Sequence, residues 1–489
     1  MKTKIYTIII LFFLLVATSC ESWLDETANT EIKAEDQFTS EEGFKNALIG
    51  IYLNMSGRKS YAQDLTWKVM DLVSQQYADY TSASIGSNIQ SFNYETPGAS
   101  KVIDNMWHGQ YNLIANINSA LKYIDKNKGV LNTFSYSIIK GELLALRAFF
   151  HLDLLRIYGH GNIANRSDLD GKLTIPYVTE YKKEATPQLS YDKTFELLLN
   201  DLDQAIELLK EDPIYPNPDR PADYYKEDID GFFNIDSRVF RMNYYAALAT
   251  KVRVLTWMGG EDNMANASTI AQKIIAERFS NTISGGISAD NIFSVVIPGF
   301  EDIYTPYLSA ENSIGNEEIY FTDNSVAELY ETDNTNIGIA DVRFNAFFTP
   351  FSHGKICKKL MYQLRKVGVY EYAYMPLIKL PELLYVIAEY NATKASPSLD
   401  IAINVLNSVR KSRGIIEDIP ANADKPIVEN EIMKEYRKEF VFEGQLFYFY
   451  KRKGLITFPG LESNIEANDK IYMLPYPSDE IQFGNRVQF

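Results

Sequence analysis

Apolar residues recur at steps of three and four along most of the chain, which is the pattern of one face of an α-helix. In residues 192–209, for example, Phe195, Leu198, Leu202 and Leu209 fall on one such face. The same spacing predicts further helices at about 41–55, 64–80, 104–126, 140–158, 241–258, 264–278, 379–393, 398–413 and 429–450. The pattern therefore predicts a mainly α protein.

Four of these helices form two consecutive pairs across short polar turns, 241–258 with 264–278 and 379–393 with 398–413. Alanines recur where the helices of a pair would touch, Ala246 among them. Helix pairs of about 34 residues with small contact residues are typical of tetratricopeptide repeats. We therefore expect a scaffold of tetratricopeptide-like helix pairs.

Three long irregular stretches interrupt the helices, at 81–103, 211–240 and 281–375. The last contains short β-like runs, Ile292–Ile297 and Glu318–Phe321. Loops of this length are uncommon in compact domains unless they are functional. We expect these long loops and a few short strands to carry the ligand face.

The first twenty residues have the pattern of a bacterial lipoprotein signal. Lys2 and Lys4 precede the apolar run 8–17, and small residues then lead to Cys20. An apolar run of ten residues is too short to span ~30 Å of hydrocarbon. We predict that Cys20 is acylated and becomes the mature N-terminus; the alternative is an ordinary signal peptide followed by a chance cysteine.

The predicted organisation follows from these segments. A signal peptide at 1–19 and a lipidated polar tether at 20–36 precede one domain at 37–489. That domain divides into an N-terminal helical scaffold (37–280), a loop-rich insert (281–375) and a C-terminal helical part (376–489).

Composition and charge exclude several classes of protein. Of the 489 residues, 46% are hydrophobic and 23% charged, which is ample for a large core and argues against disorder. The net charge of −16 disfavours nucleic acid, whose phosphates require a basic surface. It also disfavours electrostatic adhesion to anionic lipid, so we expect membrane contact through the lipid anchor only.

Signatures of catalysis and of cofactor binding are missing from the sequence. The four histidines form no zinc-protease motif, and no nucleophile elbow, P-loop or dinucleotide fingerprint occurs. Cys357, the one cysteine of the body, is expected to be an inert structural thiol. The Asp-rich segment 323–336 lacks the EF-hand register and is predicted to be a solvated loop. We expect no cofactor and no metal. Because Asp and Glu are abundant, their number does not exclude a glycosidase carboxylate pair.

Eight segments, in this order, carry a resemblance to a known family: 22–52, MWHGQYNLIANINSALKYI (106–124), KGELLALRAFFHLDLLRIYGHGNIA (140–164), RMNYYAALATKVRVLTWMG (241–259), 377–390, 406–414, EIMKEYRKEFVFEGQLFYFYKRKG (431–454) and LPYPSDEIQFGN (474–485). Along nearly its whole length the chain resembles the SusD/RagB family of outer-membrane lipoproteins from Bacteroidota. It departs from the family at 161–164, where members often have Gly-Asp-Val/Ile-Pro, and at 445–446, where an arginine is common. Both departures lie in structural stretches.

The resemblance implies a cell-surface binding subunit and not an enzyme. Such proteins are lipid-anchored in the outer membrane, face the cell exterior and sit as a lid on a SusC-like TonB-dependent transporter, to which they deliver glycans. Three alternatives stay open: a peptide-binding member of the family, a helical-repeat lipoprotein for envelope assembly, and a surface glycoside hydrolase.

Two loops combine aromatic rings with polar groups, as a glycan site requires. Sugar rings lie flat on aromatic faces, and their hydroxyls need amide or carboxylate partners. Phe92, Asn93 and Tyr94 form the first candidate, and the resemblance implies that the loop before the W-x3-Y helix contributes to binding. Tyr304 and Tyr307, beside two acidic residues, form the second. The alternative is that these rings only pin their own loops to the scaffold.

Charged residues of the signature helices are expected to form ion pairs and not functional sites. Arg156 follows Asp153 at i+3, which is close enough for pairing. Glu439 and Glu443 lie four apart in an aromatic-flanked helix and are predicted to anchor a network. Trp257 lies in a helical pattern and is predicted to pack in the core.

Replacing the predicted lipid-bearing residue should release the protein from the membrane fraction. We expect the Cys20→Ala protein to be found in the soluble fraction, because no other run of 18 apolar residues is present and the acidic body is not attracted to anionic lipid. Fractionation followed by detergent extraction measures this. A variant that is still extractable only with detergent would contradict the lipoprotein assignment.

Overall fold

The computed structural model describes residues 34–80, 83–280, 290–307, 319–367, 370–460 and 465–487. The predicted signal peptide, Cys20 and the tether up to residue 33 lie outside the described residues, so these assignments stay predictions. Within the described part of the chain, no helix is both long enough and apolar enough to cross a membrane.

Helices account for most of the described chain, which confirms the predicted mainly α class. Up to residue 279 they are α1 Ala34–Gln37, α2 Glu41–Met55, α3 Val69–Val73, α4 Ile85–Gln90, α5 Pro97–Ile124, α6 Thr133–Tyr158, α7 Tyr191–Leu208, α8 Ile235–Arg238, α9 Tyr244–Met258 and α10 Glu261–Phe279. The later helices are α11 Phe300–Tyr304, α12 Asp323–Tyr330, α13 Val342–Phe347, α14 Leu380–Thr393, α15 Leu399–Ser412, α16 Lys425–Phe440, α17 Leu446–Lys453, α18 Asp469–Tyr472 and α19 Ser478–Phe483.

The long helices pack side by side as an array. α5 packs on α6, α6 on α7, α7 on α9, α9 on α10 and α10 on α14, which in turn packs on α15 and α16. The consecutive pairs α9–α10 and α14–α15 are those predicted from the hydrophobic spacing. The tetratricopeptide-like arrangement is thereby confirmed.

Local sequence explains where α6 begins and how closely it packs. The Asn132 side chain accepts a hydrogen bond from the backbone N–H of Ser135 at 2.8 Å and caps the helix. More than two turns later, a Cβ atom added at Gly141 would lie 2.8 Å from Leu209 Cγ. Only glycine therefore allows α6 to approach the C-terminal end of α7 this closely.

Three small sheets complete the fold. The strands are β1 Leu173–Pro176, β2 Gln188–Ser190, β3 Asn291–Pro298, β4 Phe348–Phe351, β5 Gly354–Cys357, β6 Leu364–Val367 and β7 Tyr370–Lys379. β3, β7 and β6 form an antiparallel sheet in that order, with Val295 opposite Met375. The predicted run Ile292–Ile297 is thus a strand. Of Glu318–Phe321, only 319–321 is described, and there Phe321 forms a single bridge with Lys355.

Two of the predicted helices are wrong in extent. Within 64–80 only Val69–Val73 is α-helical, because side chains bond to nearby backbone: the Trp67 indole, for instance, donates to Ala62 O at 2.8 Å. The predicted helix 429–450 is two helices, α16 and α17, separated by a turn. In that turn Gly444 has a φ of 70°, and a Cβ there would lie 2.7 Å from Thr66 Cα. Close packing against this neighbour interrupts the helix.

The loop predicted at 323–336 is also partly helical. Thr322 accepts a hydrogen bond from the backbone N–H of Ser325 at 3.0 Å and starts α12, which ends at Tyr330. A single π-helical turn follows at Thr335–Ile339. The Asp and Asn residues of this segment obscured a helix that begins with a good cap.

A buried ionic cluster, which we call the Glu439 cluster, joins α16 to its neighbours. The Glu439 carboxylate accepts hydrogen bonds from Lys379 Nζ at 2.8 Å, Arg343 Nη1 at 3.1 Å and Arg413 Nε at 3.2 Å. Each of these side chains is nearly inaccessible to solvent. Burial opposes ionisation of Glu439, but the surrounding cations, Arg413 foremost, hold the pKa of that carboxyl well below its usual value.

Further acidic partners extend the Glu439 cluster to the ends of other elements. Asp290 pairs with Arg413 at 2.7 Å, Asp341 with Arg343 at 2.7 Å, and Glu443 with Lys379 at 2.9 Å. Asp290 immediately precedes β3, and Lys379 ends β7. The predicted network role of Glu439 and Glu443 is confirmed, as is the predicted pairing of Asp153 with Arg156.

One buried carboxyl beside this cluster is held in its neutral form. Asp71 is fully buried; its Oδ1 accepts from Gly444 N at 3.0 Å, and its Oδ2 lies 3.4 Å from Tyr77 Oη. Burial raises the pKa of Asp71 to about 8. At neutral pH Asp71 is therefore protonated.

Asp71→Asn should stabilise the protein increasingly as pH rises. The native carboxyl keeps its proton up to about pH 8, whereas the unfolded one loses it at about pH 4. The contribution of Asp71 to wild-type stability therefore falls across this window, by about 1.4 kcal/mol per pH unit at most. Asparagine retains an acceptor for Gly444 and never ionises. Urea unfolding at pH 5, 6.5 and 8 measures the difference, and an equal difference at all three values would contradict a neutral Asp71.

Candidate functional site

A cleft of about 690 Å³ opens between two segments, 92–96 and 469–476. The first precedes α5, and the second consists of the short helix α18 and the four residues that follow it. Tyr158, the last residue of α6, lies at its base. The cleft therefore lies where two distant parts of the chain meet at one end of the longest helices.

The wall formed by 92–96 is held by its aromatic residues. Phe92 has a φ of 62°, a conformation that a bulky residue rarely adopts and that its surroundings must enforce. Its ring stacks on Phe458 with centroids 5.8 Å apart. Tyr94 is 5% exposed and donates a hydrogen bond to Ile471 O at 2.9 Å. Burial raises the pKa of Tyr94, so the hydroxyl remains a donor that ties the two walls together.

The opposite wall is attached to the end of α6. The backbone N–H of Leu474 donates to Ile157 O at 3.3 Å, and Tyr476 donates to Thr174 O at 3.1 Å. The Trp107 ring packs against Tyr476, with centroids 4.9 Å apart. These contacts fix segment 469–476 on the helical scaffold.

An ionised carboxylate lies at one side of the cleft. Asp469 accepts from both terminal nitrogens of Arg166, at 2.6 and 2.8 Å. Burial opposes its ionisation, but the Arg166 hydrogen bonds keep the pKa of Asp469 below its usual value. His160 lies behind it, with Nε2 3.8 Å from Asp469 Oδ2, and burial lowers the pKa of His160 to about 4. At neutral pH the cleft therefore presents a carboxylate backed by a neutral imidazole.

The side chains accessible in the cleft combine apolar and polar groups. Phe92, Met473 and Pro475 are partly exposed and offer apolar surface. Asn93 and Lys470 are exposed and add hydrogen-bonding groups beside Asp469. The low pKa of Asp469 does not suit the protonated acid that glycoside hydrolysis needs. The arrangement suits noncovalent binding of a ligand with both apolar faces and hydroxyls.

The two predicted candidate loops have different surroundings in the structure. Phe92, Asn93 and Tyr94 all line the cleft, although Tyr94 is mostly buried. Tyr304 and Tyr307 are 1% and 4% exposed and do not line it. That any of these five residues contacts a ligand stays a prediction.

Both tyrosines of the second loop pack edge-on against Trp67, with centroids 5.3 Å away in each case. Tyr304 donates to Cys357 O, and the Tyr307 hydroxyl accepts from Gln63 Nε2 at 2.6 Å. Neither ring has a face free for stacking in this conformation. Their contacts favour the alternative that these rings pin their loop to the scaffold.

The C-terminal wall of the cleft was not among the predicted site residues. Segment 469–476 combines Asp469 and Lys470 with Met473, Pro475 and Tyr476, which is the mixture of polar and apolar groups that selected 92–94. The local signal is therefore present, and residues 474–476 also belong to the segment 474–485 that carries the family resemblance. Because segment 469–476 is far from residue 92 along the chain, the sequence does not indicate that the two lie side by side.

The described residues contain no group of three or more His, Cys, Asp or Glu side chains placed to hold a metal ion. Cys357 is buried, and burial raises its pKa to about 12. A thiol with that pKa stays protonated, as expected for a structural cysteine.

The paired-helix array with a cleft on its loop-bearing side defines a helical-repeat scaffold protein. Residues 22–225 match a family model, SusD-like, described as starch-binding and associating with the outer membrane. The fold comparisons below show that the chain shares the fold of solved SusD superfamily proteins along most of its length.

Three solved structures with a similar fold come from Bacteroides species. A SusD superfamily protein from Bacteroides thetaiotaomicron has a TM-score of 0.67 at 19% identity, covering 91% of this chain and 98% of its own. A SusD-like carbohydrate binding protein from Bacteroides vulgatus has a TM-score of 0.68 at 17% identity, covering 91% and 97%. A SusD superfamily protein from Bacteroides fragilis has a TM-score of 0.65 at 18% identity, covering 91% and 98%. No curated protein matches the sequence.

Proposed function

We propose that the protein binds an oligosaccharide or polysaccharide at the cell surface, in the cleft between 92–96 and 469–476. The observation that carries this proposal is the cleft's mixed lining, in a chain whose matched family is described as starch-binding. The Bacteroides vulgatus protein of the same fold is named as carbohydrate-binding. Phe92 offers a ring for a sugar face, while Asn93 and Asp469 offer partners for hydroxyls.

We further propose that a lipid on Cys20 anchors the protein in the outer membrane and that a SusC-like TonB-dependent transporter receives the glycan from it. The matched family is described as associating with the outer membrane, which supports this location. The N-terminal signal pattern supports the anchor. In this account the protein captures a ligand and passes it on without chemical change.

Removing the accessible ring of the cleft should weaken glycan binding. We expect Phe92→Ala to lower affinity about two- to tenfold, by analogy with ring-stacking energies of about 0.5–1.5 kcal/mol. Affinity gels with soluble starch, xylan, mannan and pectin identify a glycan, and calorimetry with its oligosaccharide gives the affinity. Peptides from a protein digest test the other ligand class of the family.

A matched control is Tyr374→Ala, which removes a partly buried aromatic ring on β7, outside the cleft. This variant should bind the glycan as the wild type does. Melting temperature is recorded for each variant, so that loss of fold is distinguished from loss of contact. Unchanged binding by Phe92→Ala, or an equal loss with Tyr374→Ala, would contradict the assignment of the cleft.

The native protein should be recovered in a complex with its transporter. Permanent complexes of this kind usually bury over about 2,000 Å² and survive mild detergent. We therefore expect a pull-down from detergent-solubilised membranes to recover an outer-membrane protein of about 100 kDa, the size that the family resemblance implies. A complete absence of such a partner, with the bait intact, would contradict the proposed delivery step.

A further inference from the structure

A smaller cleft of about 170 Å³ adjoins the cleft described above, which we now call the near cleft. The lining of this middle cleft comes from three segments, 161–166, 451–455 and 467–472. Asp469 belongs to the linings of both clefts, and its side chain is 42% exposed. The near and the middle cleft therefore meet at this carboxylate.

A third cleft of about 330 Å³, the far cleft, adjoins the middle one. Asn162 lines both, and the end of α17 supplies Arg452 and Lys453 to the far cleft and Gly454 to the middle cleft. Gly454 has a φ of 63°, and a Cβ atom there would overlap the Asn162 side chain. Glycine therefore leaves the space that Asn162 occupies where the two clefts meet. The three clefts follow one another as a row, which we call the groove.

The far cleft contains a buried hydrogen-bond donor without an acceptor. Trp257 lines this cleft and is 3% exposed, and its Nε1 has no hydrogen-bond partner among the described residues. Buried donors are rarely left unpaired. Helix α10 also begins here, after Gly260, and no side chain caps its first turn. The far cleft therefore presents donors to a ligand that accepts hydrogen bonds.

Charged side chains along the groove are paired with one another. In the far cleft, Glu389 accepts from Arg452 at 2.6 Å and from Lys453 at 3.1 Å. Burial opposes ionisation of Glu389, but these cations, Arg452 foremost, lower its pKa to about 2. In the middle cleft, both terminal nitrogens of Arg166 bind Asp469. Because these charges already have partners, the groove favours an uncharged ligand whose hydroxyls form hydrogen bonds.

We propose that the groove binds an extended segment of a neutral polysaccharide, with the near and the far cleft as two subsites for one chain. This inference rests on the function proposed above and adds the length and charge of the ligand. The near cleft of about 690 Å³ and the far cleft of about 330 Å³ lie within the range of about 300–1,000 Å³ that is typical of ligand sites. The smaller middle cleft is the passage between them. A chain that occupies both subsites makes contacts that a short oligosaccharide in the near cleft lacks.

The proposal is tested by calorimetry with graded series of malto-, xylo- and manno-oligosaccharides, and with oligogalacturonides as a charged series. We expect affinity for a neutral series to rise with chain length until the chain spans the groove. Equal affinity at every length would overturn the groove but leave binding in the near cleft standing. Binding of the charged series alone would overturn the neutral ligand. Failure of every series to bind at any length would overturn the proposed function, and this inference with it.

Trp257→Phe tests the far cleft separately from the near cleft. The substitution removes the unpaired Nε1–H and keeps an aromatic ring. We expect affinity for the longest oligosaccharide to fall about two- to tenfold, the effect of losing one hydrogen bond, and affinity for the shortest one that binds to stay the same. A dependence on chain length that is the same in the variant and in the wild type would overturn the proposal.

Asn165→Ala tests the same cleft at an exposed position, and Asn116→Ala is its matched control. Both are exposed asparagines whose amides donate to another asparagine, Asn165 to Asn162 at 2.6 Å and Asn116 to Asn112 at 3.2 Å. Of the two, only Asn165 lines the groove. We expect Asn165→Ala to weaken binding of the longest oligosaccharide only, and Asn116→Ala to bind every length as the wild type does. Melting temperature is recorded for each variant, and equal binding by both would overturn the proposal.

Hydrogen exchange of the wild type provides a test that does not depend on any variant folding. The shortest oligosaccharide that binds should slow exchange in 92–96 and 469–476, which form the near cleft. The longest should add protection in 259–264 and 390–394, which contribute to the far cleft. The same protection with both oligosaccharides would overturn the proposal.

Discussion

The buried Glu439 cluster is the interaction on which the rest of this architecture depends. One carboxylate on α16 accepts from Lys379, Arg343 and Arg413, and these cations lie at the ends of β7, α13 and α15 or beside them. Charges this deeply buried tolerate no missing partner, because removing one from a buried pair costs about 3–5 kcal/mol. The cluster therefore fixes the small sheet and the last helices in one relative arrangement.

That arrangement extends to the cleft through the turn between α16 and α17. Gly444 in this turn donates to Asp71, which holds the segment against the N-terminal part of the chain. In α17, the buried Lys451 amine donates to the carbonyls of Arg156 and Ile157 at 2.6 and 3.1 Å. Ile157 O also accepts from Leu474 in the cleft wall. The cleft is thus supported by long helices, although most of its lining belongs to non-helical residues.

Sequence periodicity predicted the scaffold well and the loops poorly, for a physical reason. Helix α2 was predicted to the residue, because its apolar face and the Ser40 cap are local features. The break at Gly444 and the short helix at Val69–Val73 depend on the packing of these two segments against each other. Hydrophobic periodicity carries no information about such long-range contacts. Local patterns report local structure only.

The same distinction applies to the candidate site. The loop 92–94 was found because its aromatic and amide side chains are adjacent in sequence, and the structure places it in the cleft. Tyr304 and Tyr307 have an equally suitable local pattern but are buried against Trp67. Segment 469–476 joins the cleft only through tertiary contacts such as that of Tyr94 with Ile471. Burial and long-range pairing decide between such candidates.

The most direct test of the central claim is a hydrogen-exchange footprint of the ligand on the intact protein. Backbone amides are compared with and without the oligosaccharide whose polysaccharide the protein retains in affinity gels. We predict slower exchange in 92–96 and 469–476 together, since both segments form the cleft. Protection confined to other segments, such as the β4–β5 hairpin at 348–357, with the cleft unchanged, would contradict the account.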